Sequence, residues 1–470
     1  MASFLVECLR WLILVLFSLY IFQLLRDARR RLPPGPWPPK PIIGDLLDLG
    51  EDGQQHRAFL RLADRYGGLM CLRFGMVPHV IISTPDALRA VFGGEGKKVD
   101  NIAGLPSLDV LSAMGHRAHT IFALPSQDGK WRAIRKFAAA EMLAPRRISA
   151  GAGALLQTKI VEALHREPKE RAVFRDIIED IVGMLGTAVS DIFPPIAALD
   201  LQGLRRRMTN LFAIMYHHFD DQVALRRRSR EAGEAPKKDV LDTVLDKDGE
   251  WKQEGSQLSH DVMRALLSDL YGAGASTTAG LIEWGMVDLL QNPEVMRKVK
   301  EELATVLGDK PLMEESDIAR LPYLQVVVKE ILRLRMVVPL VPRKAEADIE
   351  VNGYRIPKGT NVILNAWAIN RSADAWSDPD KFVPERFIGG ETKNFQLGQD
   401  FDMIPFGLGR RICPGMPLAQ KLIPLILGTL LHRFEWELPA EVKEAGIDMT
   451  EKCGVVLSLV TPLTAIPREI

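Results

Sequence analysis

Apolar residues run almost unbroken from Trp11 to Leu25, WLILVLFSLYIFQLL, with Gln23 as the one strongly polar member. With Phe4–Leu9 added, the run approaches the ~20 residues that span a bilayer, although Glu7 and Arg10 interrupt it. Arg26, Arg29, Arg30 and Arg31 follow at once, and the positive-inside rule keeps such a cluster cytoplasmic. The favoured reading of residues 1–31 is an uncleaved membrane anchor. The competing reading, a cleaved signal peptide, lacks a small-residue cleavage site here and has its positive charge on the wrong flank. Residues 32–41, LPPGPWPPKP, hold six prolines, which cannot continue a helix and keep the chain extended and stiff. That stretch is either a generic linker or a spacer that orients the following body on a membrane.

Residues 42–470 form one unit, with no second linker, internal repeat or low-complexity tract. Strands are predicted at Met70–Phe74 and His79–Ser83, rich in apolar and β-branched residues and divided by Gly75 and Pro78. Helical spacing of apolar residues dominates elsewhere, most clearly over Leu258–Leu290, Asn292–Leu307, Leu324–Arg335 and Leu418–His432. The expected class is mainly α with small β-sheets.

Sixty Lys+Arg balance sixty Asp+Glu over 470 residues, so a nucleic-acid binder's counterion-release affinity has no global source. The four cysteines, Cys8, Cys71, Cys413 and Cys453, include no C-x-x-C pair and form no disulfide framework, which points to a reducing compartment. The nine histidines contain no H-E-x-x-H. Gly272-Ala273-Gly274-Ala275-Ser276-Thr277 matches a dinucleotide fingerprint only in part and lies inside a predicted helix, so a built-in nicotinamide or flavin site is not expected.

The most informative segment is Pro405-Phe406-Gly407-Leu408-Gly409-Arg410-Arg411-Ile412-Cys413-Pro414-Gly415. A lone cysteine is usually a small buried hydrophobe. Here two glycines allow a tight loop with close backbone approach to something flat. The sulfur falls just ahead of an apolar helix, where the helix dipole with Arg410 and Arg411 is expected to favour the thiolate, the form that binds iron.

This stretch resembles the haem-binding loop of cytochromes P450, F-x-x-G-x-R-x-C-x-G, at every fixed position. The resemblance implies the cytochrome P450 fold with one N-terminal transmembrane helix, and heme b with Cys413 as its axial iron ligand. A thiolate there donates electron density to iron and promotes O–O cleavage. Phe406, Gly407, Gly409, Arg411 and Gly415 are implied as cofactor-binding. Trp131 and Arg135 resemble the family's W-x-x-x-R, and Arg343, in Pro339-Leu340-Val341-Pro342-Arg343, resembles another partner of the haem propionates. Arginine's planar fork suits carboxylates. Glu330 and Arg333 form E-x-x-R, and Arg386 within Pro384-Glu385-Arg386-Phe387 is implied to complete a structural Glu–Arg–Arg cluster. Taken singly, each of these arginines is more simply read as a surface residue; the set in this order is not.

Nearly the whole chain is similar to plant microsomal P450s, most of all to the group containing geraniol 8-hydroxylases and related terpenoid and alkaloid oxidases. The implied function is a monooxygenase that inserts one atom of O2 into an apolar small molecule. Its electrons would come from NADPH–cytochrome P450 reductase, docked around Arg410 and Arg411. The implied location is the endoplasmic reticulum membrane, single-pass, with the catalytic domain in the cytosol. Substrate contacts are implied at Ala103–Phe122, Leu270–Thr277, Met336–Pro342 and Val455–Thr461.

The sequence departs from the family in three places. Ala273 and Gly274 keep the room for oxygen and Thr277 can hold a water or proton, but Ser276 replaces the usual acid. A hydroxyl relays a proton without supplying one, so slower or leakier oxygen activation is expected unless the substitution is neutral. Leu334-Arg335-Met336-Val337-Val338-Pro339 replaces the usual His-Pro-Pro continuation. The region between Trp131 and Ala273 is short: one or two helices that the resemblance implies between Leu164-His165-Arg166-Glu167-Pro168 and Asp191-Ile192-Phe193-Pro194 are lacking, through a real deletion or a mis-spliced gene model. Two alternatives stay open: oxidative coupling without oxygen insertion, and a degenerate non-catalytic member.

Overall fold

The computed structural model describes residues 2–50, 54–93, 101–144, 172–237, 239–253, 259–310, 312–388 and 400–470. The first helix, α1, runs Ala2–Ala28, with Phe4, Trp11, Phe17 and Phe22 exposed along it. Among the described residues no helix is long and apolar enough to cross a membrane. Helices α2 (Gln55–Tyr66) and α3 (Pro85–Phe92) flank the hairpin of β1 (Leu69–Phe74) and β2 (Val77–Ile82). The register pairs Phe74 with Val77, so Gly75 and Met76 make the two-residue turn, and Gly75 takes φ 55 there.

The middle of the chain is helical: α4 (Gly129–Phe137), α5 (Ala172–Met184), α6 (Leu204–Glu231) and α7 (Val240–Gln253). The long helix α8 (His260–Gln291) follows, then α9 (Pro293–Leu307) and α10 (Pro322–Leu334). Local chemistry sets these starts. Asp128 caps α4 by accepting from the Lys130 N–H at 2.8 Å, and Ser259 caps α8 by accepting from Val262 at 3.4 Å. Pro293 and Pro322 occupy first helical positions, where a missing N–H costs nothing. The Glu302 carboxylate accepts from the Tyr323 and Leu324 N–H groups at 2.8 and 2.9 Å, fastening α9 to the start of α10. These caps also explain the small shifts from the predicted spans: α8 begins at His260 because Ser259 precedes it, while Leu258 lies outside the described residues.

Strands β3 (Leu340–Lys344), β4 (Ile349–Val351), β5 (Tyr354–Ile356) and β6 (Asn361–Asn365) come next. A four-stranded sheet has the order β1-β2-β6-β3, with β2 and β6 parallel and the other pairs antiparallel. Helix α11 (Met416–Arg433) leads to β7 (Phe434–Glu437), β8 (Glu451–Cys453), β9 (Leu457–Leu459) and β10 (Ile466–Glu469). The helical core joins α8, α9, α10 and α11 through Leu289, Val299, Leu324, Val327, Ile331 and Leu427. Each such side chain, fully buried, contributes about 1.5–3 kcal/mol. A second core joins the sheet to α3 through Val80, Ile82, Leu88, Val362 and Leu364. The loop before α11 therefore meets both cores: Phe406 packs against the first, and Ile404 and Leu408 lie in the second.

Candidate active site

Residues 404–416 fold back on themselves. The Gly407 N–H donates to the Ile404 carbonyl and the Cys413 N–H to the Phe406 carbonyl, both at 2.9 Å. Gly407 and Gly409 take φ values of 71 and 68, a left-handed backbone that other residues adopt only with strain. A Cβ on Gly407 would stand 3.1 Å from a nitrogen of Arg343, so the loop passes that guanidinium as closely as glycine permits. Gly415 directly precedes α11, which leaves Cys413 ahead of the helix N-terminus.

The electrostatics of this cysteine differ from expectation. Cys413 is exposed, yet protein atoms crowd its sulfur and burial raises its thiol above the ordinary value. The Gly415 N–H, Arg135 and the Met416 N–H pull the other way without prevailing. Arg410 and Arg411 are not the groups that favour the thiolate. Arg410 is exposed. Arg411 turns inward, donating to the carbonyls of Ala103 and Ile121 at 2.7 Å each and to that of Leu124. Its guanidinium also stacks 4.4 Å from the centre of the Trp131 ring. A side chain so engaged does not form a docking surface, which corrects half of the expected reductase contact.

Three arginines meet beside the loop. Arg135, on α4, donates to the Ile412 carbonyl. Arg343, on β3, is 5% exposed and donates to the Pro342 carbonyl at 2.9 Å and the Arg411 carbonyl at 3.4 Å. Burial, then the charges of Arg411 and Arg135, push Arg343 down to about 9. Burial likewise lowers Arg411 to about 10, with Glu346 opposing, and lowers Arg135, with Cys413 opposing. Buried like charges in one place are costly unless an anion joins them. Trp131, on α4, is buried and donates to the Ile121 carbonyl at 3.2 Å. A glycine loop, a sulfur at a helix start and a cluster of cations under-supplied with carboxylates fit a flat group that offers a metal and carboxylates.

Glu330 and Arg333, on α10, are both 0% exposed. Arg333 grips Glu330 with two bonds, at 2.7 and 2.8 Å, and Arg386 adds a third at 3.0 Å. Remaining donors go to carbonyls: Arg333 to Asn370, Pro379 and Lys381, and Arg386 to Ser377, Asp378 and Lys381. This cluster is closed within the framework.

On α8, Ala273 and Gly274 are exposed, and nothing lies within 4 Å of a Cβ placed on Gly274, so this stretch borders open space. Ser276 donates to the Gly272 carbonyl at 3.0 Å and Thr277 to the Ala273 carbonyl at 2.6 Å. Each hydroxyl hydrogen is thus held by its own helix, while no described residue donates to either oxygen. The expected substrate-contact segments meet in part. A Cβ on Gly280 would lie 3.8 Å from Val337 and 3.9 Å from Val456, and the Leu457 N–H donates to the Val337 carbonyl at 2.8 Å. Met336, by contrast, is a core residue, 2% exposed, within the sheet cluster. A surface groove of about 530 Å³ near Leu289, Met296 and Trp436 contains none of these site residues.

Sequence reading passed over a polar cluster beside this site. Asp269, buried one turn before Ala273, accepts from Thr120 and from the Ile121 N–H, and His116 lies next to it. A single acid inside the apolar run Ala265–Tyr271 was the available signal.

The family model for Cytochrome P450 matches residues 33–172 and 162–463. The two matches overlap within the stretch that reads as short. Ferruginol synthase of Isodon rubescens is 36% identical over 500 residues, covering 97% of this chain and 98% of its own. Cytochrome P450 76T24 of Catharanthus roseus is 36% identical over 484 residues, with 94% of each chain covered. Oryzalexin E synthase of Oryza sativa subsp. japonica is 36% identical over 512 residues, with 97% of each covered. Those 512 positions exceed the 470 residues of this chain by 42, so at least that many face a gap here. Leu164–Pro168 fall outside the described residues, and between residue 172 and Asp191 the described residues hold one long helix, α5 (Ala172–Met184).

Proposed function

The chain belongs to the cytochrome P450 family, and from that premise we propose that it oxidises an apolar terpenoid or alkaloid-like molecule by inserting one oxygen atom from O2. Electrons come from NADPH through cytochrome P450 reductase. The observation that carries the reading is the loop geometry: Cys413 at the start of α11 beside Arg135 and Arg343, with Gly407 and Gly409 keeping the backbone close. Relatives with terpenoid names, ferruginol synthase and oryzalexin E synthase, support the substrate class.

Haem, when bound, supplies the oxygen-activating metal chemistry. Cys413 is its sulfur ligand, and the N–H groups of Gly415 and Met416 stabilise negative charge on that sulfur. Arg135, Arg343 and Arg411 would hold its carboxylates, which would relieve the crowding of cations; the one N–H of Trp131, implied as a further partner, is held instead by the Ile121 carbonyl, and its ring supports Arg411. Ala273 and Gly274 leave space on α8. The lone pairs of Thr277 orient a water, while Ser276 relays protons without supplying them.

Residues 1–31 anchor the enzyme in the endoplasmic reticulum membrane, with residues 32–41 as an orienting spacer and 42–470 as the cytosolic catalytic domain. Three contacts support a fixed orientation. Tyr20 donates to the Pro39 carbonyl at 2.7 Å, Asp27 pairs with Arg73 in a buried bridge, and the Arg355 N–H donates to the Arg31 carbonyl at 2.8 Å.

The test is reconstitution in microsomes with reductase, NADPH, labelled O2 and a panel of terpenoids and alkaloid precursors. A product carrying one labelled atom is expected. A coupled or cyclised product without label would replace this reading with oxidative coupling, which the loss of the acid at Ser276 favours. Haem-loaded protein without NADPH-dependent turnover of any substrate would overturn both.

A further inference from the structure

The polar cluster at Asp269 reaches the haem-side arginines through one residue. Thr120 Oγ1 stands 2.7 and 2.8 Å from the two carboxylate oxygens of Asp269, and the Ile121 N–H donates to Oδ2 at 2.9 Å. His116 Nε2 is 3.7 Å from Oδ1, while the other ring nitrogen of His116 lies 2.5 Å from the Tyr216 hydroxyl on α6. The His116 ring stacks on Phe212, with centroids 4.3 Å apart. Asp269, Thr120 and His116 are all buried.

Ile121 is held at both ends. Its N–H is fixed by Asp269, and its carbonyl accepts from Trp131 at 3.2 Å and from Arg411 at 2.7 Å. A guanidinium has five N–H groups. Arg411 uses three nitrogens on carbonyls, which aims whatever donors remain. Trp131 spends its one N–H on that carbonyl and stacks on Arg411, so Arg411, assigned to the haem carboxylates, takes its position from the Ile121 carbonyl both directly and through Trp131, and that carbonyl takes its position from an acid on α8. Charge-assisted bonds to an ionised carboxylate are the strong, directional kind, suited to setting geometry.

We propose that Asp269 is a positioning residue of the haem site: by fixing Ile121, it sets where Arg411, stacked on Trp131, presents its remaining N–H groups to the haem carboxylates. The inference rests on the haem-site assignment above.

The test compares the full-length, haem-loaded chain with Asp269→Asn, Thr120→Val and Asp288→Asn. Asp288→Asn is the control for general damage to α8, because Asp288 is buried on the same helix and pairs with Arg335 at 2.5 Å, away from Ile121. The readouts are the rate of haem transfer to excess apomyoglobin and the thermal unfolding midpoint. Losing a charge-assisted bond is expected to speed haem release about tenfold in Asp269→Asn and about threefold in Thr120→Val. Asp288→Asn is expected to lower the midpoint while leaving release within about twofold of the parent. Parent-like release from both Asp269→Asn and Thr120→Val would overturn the proposal, as would release that merely follows the midpoint across all three variants. If Asp269→Asn does not fold, Thr120→Val decides by the same criterion. A parent chain that takes up no haem would instead sink the haem-site assignment, a distinct failure because every comparison starts from loaded parent.

Discussion

Two groups of buried arginines lie in this molecule, and they are built in opposite ways. Arg333 and Arg386 surround Glu330, and their remaining donors end on carbonyls of the same framework. Arg135, Arg343 and Arg411 find carbonyls but, among the described residues, no carboxylate of comparable closeness, and the charges of Arg411 and Arg135 add to the depression of Arg343. The first group carries its counter-charge in the sequence. In the second, the proposed haem carboxylates would supply it. Burial alone thus does not tell a structural arginine from a binding one; the presence of an internal anion does.

The largest expected effect is at the balanced cluster. Glu330→Gln leaves two buried guanidiniums uncompensated and is expected to cost about 3–5 kcal/mol in denaturant unfolding, with soluble protein lost at the upper end. A loss below 1 kcal/mol would mean that the cluster is not the closed unit described. Arg343→Met should behave in the opposite sense. The haem-free protein is expected to keep or slightly gain stability, while haem affinity falls about 10–100-fold in titration, the worth of a charge-assisted bond. Equal loss in both measurements would make Arg343 a framework residue like Arg333.

A third effect is confined to catalysis. Ser276→Asp restores an acid beside Thr277 and is expected to raise the fraction of NADPH converted to product by at least about twofold, as a positioned proton source should. Unchanged coupling would show that Ser276 is neutral.

The smallest effect concerns a second balanced site, where Glu451 accepts from His56 at 3.1 Å and Arg57 at 2.8 Å. Burial raises this carboxyl, but the bonds from His56 and Arg57 outweigh it and bring Glu451 down to about 2 from 4.5. A depressed carboxyl stabilises the fold above 4.5, and that stability is lost as pH falls from 4.5 towards 2. Glu451→Gln should therefore flatten the acid limb of the stability curve in that window and leave the neutral region's slope unchanged. An identical acid limb would show that the pair contributes nothing.

How much of this could be read from sequence depended on length and locality. The loop around Cys413 was legible because its glycines, arginine and cysteine sit within eleven positions whose spacing is itself the geometry. The long helices were legible by period, with ends displaced by one or two residues, as where Ser259 or Pro322 fixes a start and where α11 begins at Met416 and not Leu418. Strands of three to five residues, such as Ile349–Val351 and Asn361–Asn365, are too short for alternation to register. Arg411 was seen as a haem-loop residue, but its three carbonyl partners, Ala103, Ile121 and Leu124, lie some 290 positions away and leave no local trace. A separation of 149 positions hid the link from Asp269 to Thr120, which no periodicity encodes. The helix dipole pointed to a lowered Cys413 thiol, whereas crowding around the sulfur acts more strongly and raises it.

The decisive observation is the reduced carbon-monoxide difference spectrum of the chain and of Cys413→Ser, both expressed in yeast microsomes. A strongly red-shifted Soret band in the parent that vanishes in Cys413→Ser is the predicted result, placing the Cys413 thiolate on haem iron. A parent band at the position of thiol- or histidine-bound haem, or a red-shifted band that survives in Cys413→Ser, would contradict it.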